Sequence, residues 1–328
     1  MSGCEGDSTP TQPPPPAVSE VENALSSIDE WLNAAQPEKA EVIARAMVDS
    51  EPNMPSGYDA LGRVLLVKSG AALANGMPDR AEDFAKEALD AFQNAISRGI
   101  TTPQTIRGAG IAAEQAGNLP LAIELYRSAA DTDDAAKLYL GLALLRKNNV
   151  SAALIILEEL ISQRPNDPML YASLAECYSQ LGRHEDALEY IEEAIRLAPD
   201  EPAFRIRRAH LLRTSGQPLL AAETILAMPD SFRTLEAATD ELAAALEESG
   251  RPELAAAAWA DHAQAYPSSI SAAVTTARAY QRAEMHDEAQ LWIDVVESLN
   301  PQHPELENLR DAASSEDADH HPTGSPSP

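Results

Sequence analysis

Residues 168–200 read PMLYASLAECYSQLGRHEDALEYIEEAIRLAPD, and this stretch decides the fold. Tyr171, Leu174, Ala175 and Tyr178 recur at the spacing of one helical face. Leu181, Gly182 and Arg183 interrupt the pattern, with a glycine suited to left-handed backbone just past a helix end. A second stripe follows in Ala187, Leu188, Ile191, Ala194 and Ile195. Pro199 closes it, because proline biases the residue before it away from helical backbone. The stretch therefore predicts helix, short turn, helix and stop. Ala175 and Ala187 are small enough to let the two helices approach closely. A leucine at either place would overpack the contact at a cost of about 1–3 kcal/mol.

One alanine of this unit recurs along the chain. Ala40, Ala88, Ala122, Ala153, Ala187, Ala221, Ala255 and Ala289 are separated by 48, 34, 31, 34, 34, 34 and 34 residues. A fixed period of this length marks a stacked array of similar units. Each unit is too small to bury its own apolar face, so neighbours must supply the core. The gap of 48 holds 14 extra residues. The apolar run from Leu65 to Ala74 predicts a lengthened first helix, with the turn at Asn75–Pro78 and Asp79 capping the next helix. Near the other end, Met228, Pro229 and Asp230 cut one second helix short.

The residues Tyr171, Leu174-Ala175, Tyr178, Ala187, Ile191, Ala194 and Pro199 resemble the tetratricopeptide repeat (TPR). Other copies keep parts of that pattern, such as Leu140-Gly141, Leu144, Ala153, Leu157 and Pro165, or Leu242-Ala243, Leu246, Ala255, Trp259 and Pro267. The copy beginning near Pro202 departs most: Arg205 and Arg208 stand where the family prefers an aromatic residue and a leucine. The resemblance implies an all-α, right-handed superhelical solenoid of about eight helix-turn-helix repeats. It also implies a non-enzymatic scaffold that binds an extended peptide or a partner helix in a concave groove. The alternative is an accessory or regulatory subunit that recruits a separate cell-envelope or glycosyl-transfer enzyme.

A length of 328 residues would suggest two domains, but a repeat array is one continuous object of any length. Residues 1–17 are rich in Gly, Ser, Thr and Pro and read as a disordered tether. Residues 18–313 form the solenoid, with Leu306 and Leu309 on a C-terminal capping helix. Residues 314–328 read as a second disordered tail. Lys and Arg number 24 against 52 Asp and Glu, a formal charge of −28, which argues against nucleic acid as a partner. Two cysteines define no disulfide framework, and Cys177 falls on a core helix face.

Chemistry is thinly represented. Gly108-x-Gly110-x-x-Ala113 has the form of a dinucleotide fingerprint but lacks the preceding strand, so close helix packing explains it better. His184, His262 and His286 have no paired Cys or His at ligand spacing, and a metal site is not expected. Acid pairs such as Glu192-Glu193 read as the solvated face of helices. The expectation is a protein with no cofactor and no catalytic activity.

In the resembled family the first helices line the groove. That register places Arg63, Arg107, Arg146, Arg207, His210, Arg213, Arg278 and Arg282 on or near it. Arginine suits bidentate capture of carboxylates, so the expected ligand is an acidic peptide or a free C-terminal carboxylate. Acids on the same helices compete for the arginines: Asp59, Glu114, Glu176, Asp240 and Glu247. Finally, Ser2-Gly3-Cys4 before a Pro-rich spacer resembles the mature start of a bacterial lipoprotein. On that reading Cys4 is the lipidation candidate and the envelope is the compartment, reached only through the lipid anchor. The competing reading is a free cysteine on a cytoplasmic protein.

Overall fold

A computed structural model of the protein describes residues 18–314. Residues 1–17, with Cys4, and residues 315–328 lie outside the described residues, while Ser314, expected in the tail, ends the last helix. The described residues are helical, joined by short turns. Contacts divide the chain into an N-terminal unit ending at Leu160 and a C-terminal unit beginning at Ile161.

The N-terminal unit pairs α1 (Val18–Asn33) with α2 (Pro37–Ser50), α3 (Pro55–Ala74) with α4 (Pro78–Ser97), and α5 (Pro103–Gln115) with α6 (Leu119–Ala129). Next come α7 (Asp134–Arg146) and α8 (Val150–Gln163), and α8 contains the division point. The C-terminal unit holds the pairs α9 (Pro168–Gln180) with α10 (His184–Leu197) and α11 (Pro202–Thr214) with α12 (Pro218–Leu226). The one-turn α13 (Asp230–Arg233) leads to α14 (Glu236–Glu248) with α15 (Pro252–Ala265), then α16 (Ile270–Arg282) with α17 (His286–Leu299). A last helix, α18 (Leu306–Ser314), packs Leu306 and Leu309 with Ala273, Val274, Ala277, Ile293 and Val296. Each unit is thus an all-α stack of helix pairs. No helix among the described residues is long and apolar enough to cross a membrane.

The alanine ladder is the packing axis of the pairs. All eight ladder alanines have no solvent exposure. In every first helix after α1 the eighth residue is Gly or Ala, as at Gly62, Gly110, Gly141 and Ala175, and the three glycines face the residue four past the ladder alanine, Phe92, Tyr126 and Leu157. A Cβ on Gly110 would fall 2.5 Å from the ring of Tyr126, and one on Gly62 would fall 2.9 Å from the ring of Phe92. Gly108 meets Phe92 in the same way at 2.7 Å. The fingerprint-like glycines therefore sit inside α5 and make room for aromatic rings. Cys177 is fully buried.

The turn inside each pair carries one residue in left-handed backbone. These are Ala35, Gly76, Gly117, Asn148, Gly182, Gly216, Gly250 and Glu284, with φ between 54° and 82°. Left-handed backbone favours glycine because a Cβ crowds the carbonyl. At Gly182 the turn closes with Gly182 N–H to Ser179 O and Arg183 N–H to Tyr178 O. This is the donor pattern that satisfies the orphan carbonyls of a helix end.

Two expectations about the long repeat need correction. The extra residues lengthen both helices, since α3 and α4 each have 20 residues against 13 and 14 in α9 and α10. Growth of one arm alone would leave its added apolar face unpartnered, whereas here Ser69 on α3 donates to the carbonyl of Ala81 on α4 at 2.8 Å. Asp79 does not cap α4: the cap position is Met77, with Pro78 first in the helix and Asp79 in its first turn. Proline there sets the helical φ and has no N–H to leave unpaired. The interval of 31 residues between Ala122 and Ala153 arises in α6, which has 11 residues. The helix expected to be short is α12, with nine residues.

Arg205 has a structural role. Tyr171 on α9 donates its hydroxyl to the carbonyl of Pro165 at 3.1 Å. One repeat later Arg205 donates to the carbonyl of Pro199. The guanidinium thus replaces the phenol at the same junction. Arg208 is bound by Glu192 and by Thr224.

Candidate functional site

The cationic residues expected on the groove all lie on first helices, but they do not form an open basic surface. Every one of them meets a carboxylate. In the N-terminal unit Arg63 on α3 binds Asp29 of α1 at 2.6 Å and Asp59 at 3.4 Å. Arg107 on α5 binds Asp133, the cap residue of α7, at 3.1 Å, and Arg146 on α7 binds Glu114 of α5. In the C-terminal unit Arg207 on α11 lies 3.7 Å from Glu176 of α9. Arg213 binds Glu241, and also Glu248 at 2.6 Å, both on α14. Arg282 binds Glu247 at 3.0 Å, and Arg278 binds Glu305.

The result is a ladder of ion pairs between successive first helices. Of the acids named as competitors from sequence, Glu114, Glu176 and Glu247 pair in this way, and Asp59 pairs with Arg63 within α3. Asp240 has no basic partner at ion-pair distance among the described residues, and its neighbour Glu241 takes that role. Sequence reasoning missed Asp29, Asp133, Glu241, Glu248 and Glu305. The signal was present in the period: Asp29 and Arg63 stand 34 residues apart and Arg213 and Glu248 stand 35 apart, so the members of each pair occupy near-equivalent places on adjacent first helices.

In the C-terminal unit this face holds a cleft of about 430 Å³ between α9, α11 and α14. Ala203, Ile206 and Ala237 give it apolar wall, and Glu176, Arg207, His210, Asp240 and Glu241 line the rest. Three carboxylates thus face one arginine and one histidine. His210 Nδ1 lies 3.2 Å from Glu241, and this hydrogen bond raises the imidazole above its ordinary range against the opposing effect of burial. Burial pushes the Glu241 carboxyl up, but the hydrogen bonds from His210 and Arg213 outweigh it and hold the group below its usual value. Asp240 is the reverse case: burial and the nearby carboxylates of Glu236 and Glu241 push it up. The cleft can therefore accept a cationic group at Asp240 more readily than an anionic one.

In the N-terminal unit the ladder reaches into the core. The Tyr126 hydroxyl donates to Glu114 at 2.9 Å, and its ring stacks on Tyr139 with centroids 5.5 Å apart. Burial, with a lesser contribution from Tyr139, raises the phenol well above its ordinary range, so it stays protonated and donating.

Residues 107–168, 140–202 and 172–234 match the tetratricopeptide repeat family. Among solved structures, a tetratricopeptide repeat protein from Parabacteroides merdae superposes with a TM-score of 0.55 at 13% identity, covering 90% of this chain and 99% of that one. PilW, described as a type IV pilus biogenesis factor, superposes with a TM-score of 0.55 at 14% identity, covering 69% of this chain and all of its own (100%). Pseudomonas aeruginosa pilF gives 0.50 at 14% identity, with 68% of this chain and 95% of that chain covered. These likenesses are likenesses of fold. The chain carries tetratricopeptide repeats, matched directly across 107–234. That fold is a protein–protein interaction scaffold, and proteins built from it are generally not enzymes.

Proposed function

We propose that this protein is a scaffold that holds an extended peptide segment across the first helices of its C-terminal unit. The observation that carries the reading is the cleft between α9, α11 and α14, with apolar wall on one part and on another Asp240, which has no basic partner at ion-pair distance among the described residues. A segment with an apolar side chain over Ala203, Ile206 and Ala237, followed by a lysine or arginine beside Asp240, satisfies both. An acidic segment or a C-terminal carboxylate would instead have to displace Glu176 or Glu241 from Arg207, His210 and Arg213. Displacing a half-buried carboxylate that already accepts charge-assisted bonds gains little net energy, because one pair replaces another.

The experiment is titration calorimetry of the full chain with two synthetic peptides, identical but for lysine or glutamate beside a central leucine. The lysine peptide should bind, and Asp240→Asn should weaken it severalfold. Loss of one exposed-to-half-buried charge contact is worth roughly 1 kcal/mol. Preferred binding of the glutamate peptide, lost on replacing Arg207 and Arg213 together by Ala, would restore the acidic-partner reading and discard this one.

A further inference from the structure

A second pocket lies on the other side of α14. It has a volume of about 500 Å³, within the size range of specific ligand sites. Its residues are not those of the first-helix cleft. The pocket exists because the repeat is broken there. α12 stops after nine residues where α10 and α15 have 14, and Pro229 then directs the chain into the one-turn α13. The place of the final turn and a half of a second helix is left open. Leu226, the last residue of α12, is consequently 49% exposed, and Leu254 across the gap on α15 is 52% exposed.

We propose that this pocket receives the apolar face of an amphipathic helix from a partner protein, with a basic residue of that helix beside Asp261. Three observations combine. The far wall is a ridge on α15, Leu254, Ala257, Ala258 and Asp261, spaced as one helical face, so what complements it is another helix laid along it. The ridge ends in a carboxylate: Asp261 has no basic partner at ion-pair distance among the described residues. The cationic residue at the rim, Arg233, is held by Asp230 and donates to the carbonyl of Leu226 at 3.3 Å, so it does not neutralise Asp261. The wall is also firmly fixed. His262, buried beside the ridge, contacts the carbonyl of Thr234 through Nδ1 at 2.8 Å and stands edge-on to Trp259. A preformed apolar slot closed by one acid fits a helix bearing leucines at one spacing and a lysine or arginine one turn on. An acidic helix would meet Asp261 with like charge.

The test uses the full chain and a designed 18-residue helix of leucines and lysines in amphipathic order, with a second version in which glutamate replaces lysine. The dissociation constant is read by fluorescence anisotropy at moderate salt. The lysine helix should bind the wild type. Ala257→Trp, which fills the slot from an exposed position, should weaken it at least tenfold, and Asp261→Asn should weaken it severalfold. Circular-dichroism melts of both variants verify that the fold is kept. Asp240→Asn, in the other cleft, should leave this affinity unchanged, so failure here and failure of the peptide-cleft reading are distinguishable. Equal binding to wild type and Ala257→Trp, equal binding of the lysine and glutamate helices, or no binding of the lysine helix would each overturn the proposal.

Discussion

Gly110 stands so close to Tyr126 that a single added methyl group at Gly110 would lie 2.5 Å from a ring carbon. Tyr126 is fully buried and stacked on Tyr139, so the ring has nowhere to go. Gly110→Ala should therefore destabilise the N-terminal unit by about 1–3 kcal/mol, even though alanine is the better helix former by about 1 kcal/mol. Gly70, also inside a helix, has nothing within 4 Å of an added Cβ. Gly70→Ala should raise the melting temperature. Opposite shifts in a pair of thermal melts are the expected outcome, and equal shifts would discard the packing account.

Glu284 adopts φ 58° at the turn position that glycine fills in five other repeats. Glu284→Gly should stabilise the C-terminal unit by up to about 1 kcal/mol, by relieving left-handed strain. Gly250→Ala, the converse change one repeat earlier, should cost about as much. Urea titrations of the two variants check the signs.

His210 is raised above its ordinary value mainly by its hydrogen bond to Glu241. Its folded value exceeds the unfolded value of about 6.5, so its contribution is fully present below that pH. The contribution is lost as pH rises through the folded value. Wild type and His210→Ala should therefore differ more in melting temperature at about pH 5.5 than at about pH 8.5. A difference that grew with pH would reverse the assignment.

Asp240 is raised by burial first and by Glu236 and Glu241 next. Its charged form is disfavoured in the fold, so the group costs stability at neutral pH, above the unfolded value of about 3.9. Asp240→Asn should raise the melting temperature slightly at pH 7 while weakening the lysine peptide. A variant that both melts lower and binds unchanged would contradict the reading of this carboxylate.

The repeat architecture was legible in the sequence because one property, the smallness of a residue at a helix crossing, is local and periodic. Ala187 and Gly182 each announce their environment without knowledge of any distant partner. The ion-pair ladder was less legible. Arg213 and Glu248 are 35 residues apart, and only the stacking of α11 on α14 brings them to 2.6 Å. Helix register places the arginines on a face. It does not say that the next helix offers a carboxylate to each. The pocket beside α12 was foreshadowed by Met228, Pro229 and Asp230, but a shortened helix reads as a gap only when its neighbours' lengths are known.

The long hairpin of α3 and α4 implies a rule for how such a chain tolerates insertion. Each arm has grown by about two helical turns, roughly seven residues. After two whole turns a helix presents the same side again, so Gly62 still opposes Phe92 below the added length. Ala81 and Ala85 extend the buried side above it. An increment of one or two residues in either arm would rotate everything beyond it by a large fraction of a circle and turn charged residues inward. Viable length variants of a repeat should therefore be discrete, in matched steps on both arms. The free end of a hairpin is then the place where new surface is added without renegotiating any contact beneath it.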